Sequence, residues 1–250
     1  YKPLSSIFYS NNNEYLKIYT NRYNSESTYR FDFKIKENNA FLIINNDILR
    51  GIESIYKLNC DLLKKVHRVP LIALKQYRKK CLIDEIKITN EIEGVNSTRK
   101  EINDILNSKV ENNKNTRLYG LVKKYDLLEE EEIKLNCCED IRELYNELVL
   151  KEVIEEDSKN KPDGKIFRKE EVYVQNPTGK IIHSGVYPEE NIIFNMTKGL
   201  NILNNDEYDY MIRIAVFHYI FGYIHPFYDG NGRTSRFISS YLLSKNLHPL

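Results

Sequence analysis

Apolar residues follow two different spacings along the chain, and these spacings divide it into two regions. Residues 29–36 alternate apolar and polar side chains without a break, which predicts a half-buried strand. Residues 37–40 indicate a turn, and the apolar run at residues 41–44 predicts the return strand. From Ile48 onward apolar residues recur at helical spacing. We therefore expect a short β-rich N-terminal extension, residues 1–46, followed by a mainly α-helical protein.

Two β-rich runs interrupt the helical pattern. They occupy residues 172–174 and 181–183 and flank a turn-rich loop, so they predict a β-hairpin. We expect a helical region over residues 47–110 and a helical core over residues 111–250, with the hairpin at about residues 170–187. The predicted helices lie near 47–66, 70–93, 98–107, 115–125, 139–155, 189–203, 207–224 and 231–246.

Residues 225–236 join two of these helices and read His-Pro-Phe-Tyr-Asp-Gly-Asn-Gly-Arg-Thr-Ser-Arg. The almost wholly apolar run at residues 210–224 predicts a buried helix that ends before Pro226. Apolar residues repeat four apart after the loop, so Gly230 to Arg233 should begin the second helix. The first N–H groups of a helix have no partner within it, and the helix dipole attracts negative charge there. This position therefore suits a phosphate.

The glycines and arginines of the loop also suit a polyphosphate. Gly230 and Gly232 have no Cβ, so a phosphate can approach the backbone closely. Arg233 and Arg236 lie on one helix face and can reach the same phosphate chain. Asp229 is a hard oxygen ligand of the kind that Mg²⁺ prefers. Together they indicate a site for a polyphosphate and a divalent cation.

His225 adds a group that titrates near neutral pH and can take a proton from an attacking hydroxyl. An EF-hand calcium loop beginning at Asp229 is excluded, because its sixth position would be Thr234 and its twelfth Ser240. A Walker phosphate loop is excluded, because no Gly-Lys-Ser/Thr follows a strand. The residues therefore favour transfer of part of a polyphosphate to a hydroxyl.

The loop resembles the motif H-x-F-x-D/E-G-N-G-R-x-x-R of the Fic (filamentation induced by cAMP) domain, and every specified position matches. The resemblance covers about residues 50–250 and implies the Fic fold, a helical bundle with a β-hairpin flap. It implies a protein adenylyltransferase, a nucleotidyltransferase that moves AMP from ATP to a Ser, Thr or Tyr hydroxyl of a target protein. ATP would be the co-substrate, and Mg²⁺, or alternatively Mn²⁺, the cofactor.

The resemblance also implies a role for each functional residue of the loop. His225 would be the base for the target hydroxyl, and Asp229 would hold the metal. Asn231 would orient the α-phosphate, and Arg236 would meet the terminal phosphate. The full set of expected phosphate-binding residues is Gly230, Asn231, Gly232, Arg233 and Arg236.

A second motif lies far upstream, at residues 89–94, where Thr-Asn-Glu-Ile-Glu-Gly resembles the inhibitory motif S/T-x-x-x-E-G/N of the same family. It falls on a predicted helix for which Gly94 is a plausible stop. The resemblance implies that Glu93 pairs with Arg236 and occupies the guanidinium that a terminal phosphate needs. Thr89, Glu93 and Gly94 are the expected inhibitory residues, and the enzyme is expected to restrain itself.

In the Fic family a hairpin at this place forms a flap that pairs with an extended target segment. Ile182 and His183 are the expected flap contacts. The expected partners are ATP, a target protein that carries a hydroxyl acceptor, and the chain itself through self-modification. A homo-oligomer is compatible with the sequence.

The charge balance narrows the range of partners. The net charge of +1 gives no global basic field, so no nucleic acid is expected. No signal peptide and no apolar run of about 18 residues are found, so no membrane partner is expected and the cytoplasm is the expected location. Two alternatives to adenylylation remain open: removal of AMP at the same site, with Glu93 orienting a water, and a non-catalytic module that senses nucleotides.

Overall fold

The computed structural model describes residues 2–10, 12–107, 116–128, 130–176 and 178–248. It divides into two compact units, Tyr1–Leu58 and Asn59–Leu250. The boundary expected between residues 110 and 111, and the start of the helix predicted from residue 115, lie outside the described residues.

The first unit combines helices with the predicted hairpin. Phe31 and Phe33 of the first strand are buried, as the alternating pattern predicts. The two helices before the hairpin were not predicted, so the expectation of a β-rich extension is correct only for the hairpin. Tyr15, Tyr19 and Tyr23 recur four apart, and their neighbouring ring centroids lie 6.0 and 5.9 Å apart along one helix. The elements are α1 (Leu4–Ser10), α2 (Asn12–Tyr23), β1 (Thr28–Ile35) and β2 (Asn38–Ile43), the strands being antiparallel.

The second unit is mainly helical. A long helix, α3 (Asn46–Val66), begins in the first unit and ends in the second. Thr98 accepts a hydrogen bond from the N–H of Glu101 at 3.1 Å and so caps α5. The further helices agree with the predicted ones within a few residues and are α4 (Leu71–Ile92), α5 (Arg99–Asn107), α6 (Tyr119–Asp126), α7 (Cys138–Tyr145), α8 (Lys151–Glu156), α9 (Glu189–Leu203), α10 (Tyr210–Ile224) and α11 (Asn231–Ser244).

A π-helical turn, Asn146–Leu150, separates α7 from α8 where one continuous helix was predicted over residues 139–155. Helix α6 approaches this turn closely, since a Cβ on Gly120 would overlap the carbonyl oxygen of Glu147. π-Turns inside helices are rare and often lie at functional sites. Hydrophobic spacing alone does not reveal one, because the apolar face continues through it.

Helix α10 packs against α9 and α11 and brings the motif loop to the end of the bundle. Its carboxylate cap, Asp209, accepts the N–H groups of Met211 at 2.9 Å and Ile212 at 3.3 Å. The helix therefore begins at Tyr210 rather than at the predicted residue 207.

The predicted hairpin is present in the second unit. Its strands, β3 (Tyr173–Gln175) and β4 (Ile181–Ser184), pair antiparallel with a register irregularity between Val174 and Gln175. Residue 177, in the connecting loop, lies outside the described residues.

Candidate active site

The loop after α10 is shaped by its own side chains. His225 ends the helix with a left-handed backbone (φ 52°), a region that residues other than glycine seldom adopt. The amide of Asn231 accepts the N–H of Phe227 at 3.0 Å and donates to the Phe227 carbonyl at 2.8 Å. Asn231, which the resemblance assigns to the α-phosphate, therefore uses both ends of its side chain to hold the loop closed.

The loop is also fixed by the side chains of α7 and of the π-helical turn that pack against it. The Phe227 ring is buried and stacks on the Tyr145 ring with 3.7 Å between centroids. Gly230 has a left-handed backbone (φ 76°), and a Cβ there would lie 2.8 Å from Cγ2 of Val149 in the π-helical turn. Close packing as well as conformation therefore requires glycine at this position.

The N-terminus of α11 is covered by a carboxylate. Gly232 lies in its first turn, and a Cβ on this residue would overlap Oε1 of Glu93 and lie 2.9 Å from Nη1 of Arg236. The Glu93 carboxylate thus occupies the space beside Gly232, where the unpaired N–H groups and the helix dipole favour an anion.

Arg236 is held by residues of the upstream motif at 89–94. Its Nη2 donates to Oε1 of Glu93 at 2.5 Å, and its Nε donates to Oγ1 of Thr89 at 2.6 Å. The contact between Glu93 and Arg236 that the resemblance implies is therefore present in the structure. In this arrangement the guanidinium faces α4 and has less capacity for a phosphate.

The end of α4 sets the position of Glu93. Gly94 has a left-handed backbone (φ 75°), its N–H donates to the Glu91 carbonyl, and the N–H of Val95 donates to the Asn90 carbonyl. These two bonds are the Schellman arrangement of a helix end. Glu93 is thus held as the C-terminal cap, where the dipole of α4 disfavours a carboxylate and that of α11 favours it.

The imidazole of His225 is partly buried. Burial is the largest influence on its pKa and lowers it, and the positive charges of Arg168 and His183 lower it further. A hydrogen bond to the Gly222 backbone and the charge of Glu93 act in the opposite direction. The net lowered pKa keeps the imidazole neutral near pH 7, which is the form that a general base needs.

Arg233 lies in the core with its side chain wholly buried. Its Nη1 donates to Oε2 of Glu152 at 2.6 Å, and its Nη2 lies 3.5 Å from Oδ2 of Asp229. Burial raises the pKa of Glu152, while the charges of Arg233 and Arg117 oppose that rise. Arg233, assigned to the phosphate cradle by the resemblance, is thus bound mainly to Glu152.

The Asp229 side chain is about one third exposed (34%) at the edge of the loop, and its Oδ1 accepts the N–H of Gly230 at 2.5 Å. Among the described residues, no three His, Cys, Asp or Glu side chains form a cluster that could hold a metal. A single carboxylate still fits Mg²⁺, which is usually held by one or two carboxylates together with waters and substrate phosphates. Asp229 is the residue of this loop that could hold it.

The hairpin places its two expected contact residues differently. Ile182 is exposed (63%), whereas Nε2 of His183 lies 2.7 Å from the Tyr223 carbonyl of α10. Ile182 is therefore available to a partner, and His183 anchors the hairpin to the helix that carries His225.

Two residues of the site were not predicted. Glu152 follows buried Leu148 and Val149 at helical spacing, so its place on the apolar face was a signal that could have revealed it. Arg168 follows Ile166 in an irregular segment, and its buried position depends on packing that no local pattern shows.

None of the described helices is both long enough and apolar enough to cross a membrane.

Comparison with known proteins gives a match to a family model and similar solved structures. Residues 134–243 match the model of the Fic/DOC family. A crystal structure of a Fic family protein from Desulfovibrio desulfuricans G20 is similar with a TM-score of 0.57 and 19% identity, over 82% of this chain and 59% of that chain. Fic-1 from C. elegans gives a TM-score of 0.47 and 23% identity, over 79% of this chain and 60% of that chain. The chain thus spans about three fifths of the length of these proteins, and likeness at this identity concerns the fold alone.

Proposed function

Because residues 134–243 of this chain are a Fic domain of the Fic/DOC family, we propose that the protein is a protein adenylyltransferase restrained by its own Glu93. It moves the AMP part of ATP onto a Ser, Thr or Tyr hydroxyl of a target protein, and of itself. The observation that carries the proposal is the position of His225 at the end of α10, where burial lowers its pKa, one short loop before the N-terminus of α11.

The reaction follows from these groups. The target hydroxyl oxygen attacks the α-phosphorus, His225 takes the hydroxyl proton, and the bond to the β-phosphate breaks so that pyrophosphate leaves. The first turn of α11 receives the phosphate charge once the Glu93 carboxylate has left the space beside Gly232. Bound Mg²⁺, held by Asp229 and the phosphates, would neutralise part of the charge that develops on them.

The restraint follows from competition for one guanidinium. While Arg236 bonds Glu93 and Thr89, it has little capacity for a terminal phosphate. The Glu93 carboxylate also brings negative charge to the place where phosphate charge would lie. ATP would then bind in a pose that does not align its α-phosphate with the target hydroxyl.

The position of Glu93 also favours a second candidate function. A carboxylate beside the anion site could orient a water towards a phosphate ester, so that the natural chain would remove AMP from a modified target. Target protein modified in advance, incubated with the natural chain, would then release AMP, and Glu93→Gly would release none.

The first test uses ATP labelled at the α-phosphate, with Mg²⁺ and a cell lysate as the source of target. Strong labelling of protein is expected with Glu93→Gly, weak labelling with the natural chain, and none with Glu93→Gly/His225→Ala. Glu91→Gly is the matched control, because it removes a carboxylate from the same helix turn without touching Arg236. ATP labelled at the γ-phosphate should give no label beyond that which the kinases of the lysate alone produce, which separates AMP transfer from phosphorylation.

Three outcomes would contradict the proposal. Equal labelling with Glu93→Gly and Glu91→Gly would show that Glu93 does not restrain transfer. Labelling that persists without His225 would show that His225 is not the base. No labelling in any variant would leave AMP removal or a nucleotide-sensing module as the better description.

A further inference from the structure

A buried arginine lies where the motif loop and the hairpin meet. The Arg168 side chain is fully buried, its Nε donates to the His225 carbonyl at 2.9 Å, and its Nη2 donates to the Val186 carbonyl at 2.8 Å. Its Nη1 donates to the Glu170 carbonyl at 2.6 Å. One guanidinium thus joins the start of the loop to the chain segments before and after the hairpin.

The segment that carries Arg168 is itself fixed. The carboxylate of Glu189, at the start of α9, accepts the N–H groups of Lys165 at 3.0 Å, Ile166 at 2.8 Å and Phe167 at 2.9 Å. The N–H of Arg168 also donates to the Pro226 carbonyl at 3.4 Å. The backbone that carries the guanidinium is therefore held in place by these hydrogen bonds.

Gly185 lets the end of the hairpin lie directly against this arginine. A Cβ on Gly185 would lie 2.5 Å from Nη2 of Arg168 and 3.2 Å from Cβ of His225. The N–H of Gly185 donates to the Val172 carbonyl at 2.9 Å, and the N–H of Val186 donates to the Ile224 carbonyl at 3.0 Å. The backbone at the end of the hairpin therefore lies directly against the Arg168 guanidinium and close to the Cβ of His225.

We propose that Arg168 is a positioning residue that couples the flap to His225, so that a target segment docked along the hairpin meets the base at a fixed distance. The inference rests on the proposed function and on the expectation, from the family resemblance, that the flap receives the target segment. The left-handed backbone of His225 persists only where its surroundings enforce it, and Arg168 bonds the carbonyl of that residue. A planar guanidinium can bond three carbonyls in different directions, whereas an ammonium is a point charge on a flexible stem.

The test compares Arg168→Lys and Arg168→Met in the full-length Glu93→Gly chain. Both variants lose the planar guanidinium that bonds three carbonyls, so amide hydrogen exchange at Gly185 and Val186 should be faster in both. Transfer of the α-label should fall by about 100-fold in both, the scale of loss that follows misplacement of reacting groups by ~1 Å.

The imidazole titration separates charge from geometry. The charged or titratable groups that act on His225 are Arg168, His183 and Glu93. Glu93 is absent from the parent of these variants, which is the Glu93→Gly chain. Followed by NMR, His225 should titrate at higher pH in Arg168→Met, because a positive charge is lost, and close to the parent value in Arg168→Lys. Loss of transfer in Arg168→Lys, which keeps the positive charge and leaves the pKa of His225 close to the parent value, is then a loss of geometry and not of charge.

Further variants keep the test decisive. Arg142→Met is the matched control, since Arg142 donates to the Ile166 carbonyl and makes no contact with His225 among the described residues, so the His225 titration should not move. Gly185→Ala should slow transfer with Arg168 still present, because the added methyl displaces its guanidinium. If Arg168→Met fails to fold, Arg168→Lys and Gly185→Ala carry the test.

Two results would overturn the inference. The first is a folded Arg168→Lys that transfers at the parent rate, with exchange at Gly185 and Val186 unchanged. The second is a Gly185→Ala variant that behaves as the parent in both assays. If the Glu93→Gly parent transfers no label, the proposed function fails, while exchange and the His225 titration still decide the coupling.

Discussion

The Glu93 carboxylate contacts the Arg236 guanidinium at 2.5 Å although 143 residues separate them in sequence. Both side chains are about one quarter exposed, 24% and 26%, so water reaches the pair. Ion pairs at exposed positions contribute about 0.2–1 kcal/mol each, and the dipole of α4 acts against this carboxylate. A contact of this strength suits a restraint that has to be released.

Thr89 supports that contact, and Thr89→Val is expected to release part of the restraint. The hydroxyl accepts from Nε of Arg236 at 2.6 Å, and hydrogen bonds to charged groups contribute about 1.5–3 kcal/mol. Without the hydroxyl, the guanidinium turns more readily to a phosphate. The initial rate of α-label transfer should lie between those of the natural chain and Glu93→Gly. Thr89→Ser keeps the hydroxyl and should match the natural chain; a Val variant as slow as Ser would refute the role of Thr89.

Gly232→Ala should change stability in a way that depends on Glu93. Alanine in place of glycine in a helix adds up to about 1 kcal/mol of stability. In the Glu93→Gly background that gain should appear, because the carboxylate is gone and the remaining close neighbour, Nη1 of Arg236 at 2.9 Å, is the end of a flexible side chain that can shift. In the natural chain it should be absent, because the methyl group displaces the Glu93 carboxylate from Arg236. Urea unfolding of the four proteins measures the coupling, and equal effects in both backgrounds would show that the carboxylate lies elsewhere.

Glu152→Ala should destabilise the fold by about 3–5 kcal/mol, since it leaves the buried Arg233 charge without its partner. At about 2–4 °C per kcal/mol, the melting temperature should fall by roughly 6–20 °C. Glu156→Ala, at an exposed position of the same helix, is the control and should stay within about 0.5 kcal/mol of the natural chain. Adding Arg233→Met to Glu152→Ala should recover stability, and no recovery would mean that the cost is not electrostatic.

The pH dependence of transfer should reflect the lowered pKa of His225. The imidazole has to be neutral to act as a base, and its ordinary pKa is about 6.5. Burial, Arg168 and His183 lower that pKa and Glu93 opposes them, so Glu93→Gly should lower it further. The rate of Glu93→Gly should therefore be flat above pH ~6.5 and fall only at lower pH. A half-maximal rate above that value, or an NMR titration of His225 that moves upward in Glu93→Gly, would count against this assignment.

The same shift links protonation to folding. Because the folded pKa of His225 lies below the unfolded value, the unfolded chain binds more protons between the two values. Stability should therefore be complete above the unfolded pKa and decrease as the pH falls from it to the folded pKa. Thermal unfolding of the natural chain and His225→Ala at a series of pH values measures this contribution, which should be absent from the variant.

Much of the helical framework could be predicted because its signals are local. The apolar residues of α10 identify a buried helix, Gly94 marks the end of α4, and Thr98 caps α5. The start of α10 was placed three residues early, because Asp209 and its neighbours could equally have continued the helix. Helix α2 was not predicted, because its apolar face consists mostly of tyrosines within an asparagine-rich stretch.

The contacts of some site residues could be predicted from the sequence, and those of others could not. The pairing of Glu93 with Arg236 was expected from two separate motifs, and the contact is present. The internal bonds of Asn231 and the burial of Arg233 were not expected, because each depends on a partner that only the folded chain supplies. Arg168 is the extreme case, since its three acceptors are main-chain carbonyls and carry no sequence signal.

The packing of the motif loop determines which of its residues indicate activity and which are needed for folding alone. Phe227 fills the core, Gly230 lies against Val149, and Asn231 closes the loop on itself, so folding alone requires these three. A related chain that had lost its activity would have reason to keep all of them. Asp229, on the loop's exposed edge, has the weakest packing reason to remain, and His225 needs only its backbone for the carbonyl contact with Arg168. Under the proposed function, replacement of these two residues within an otherwise intact motif would therefore mark a related chain that folds but does not transfer AMP.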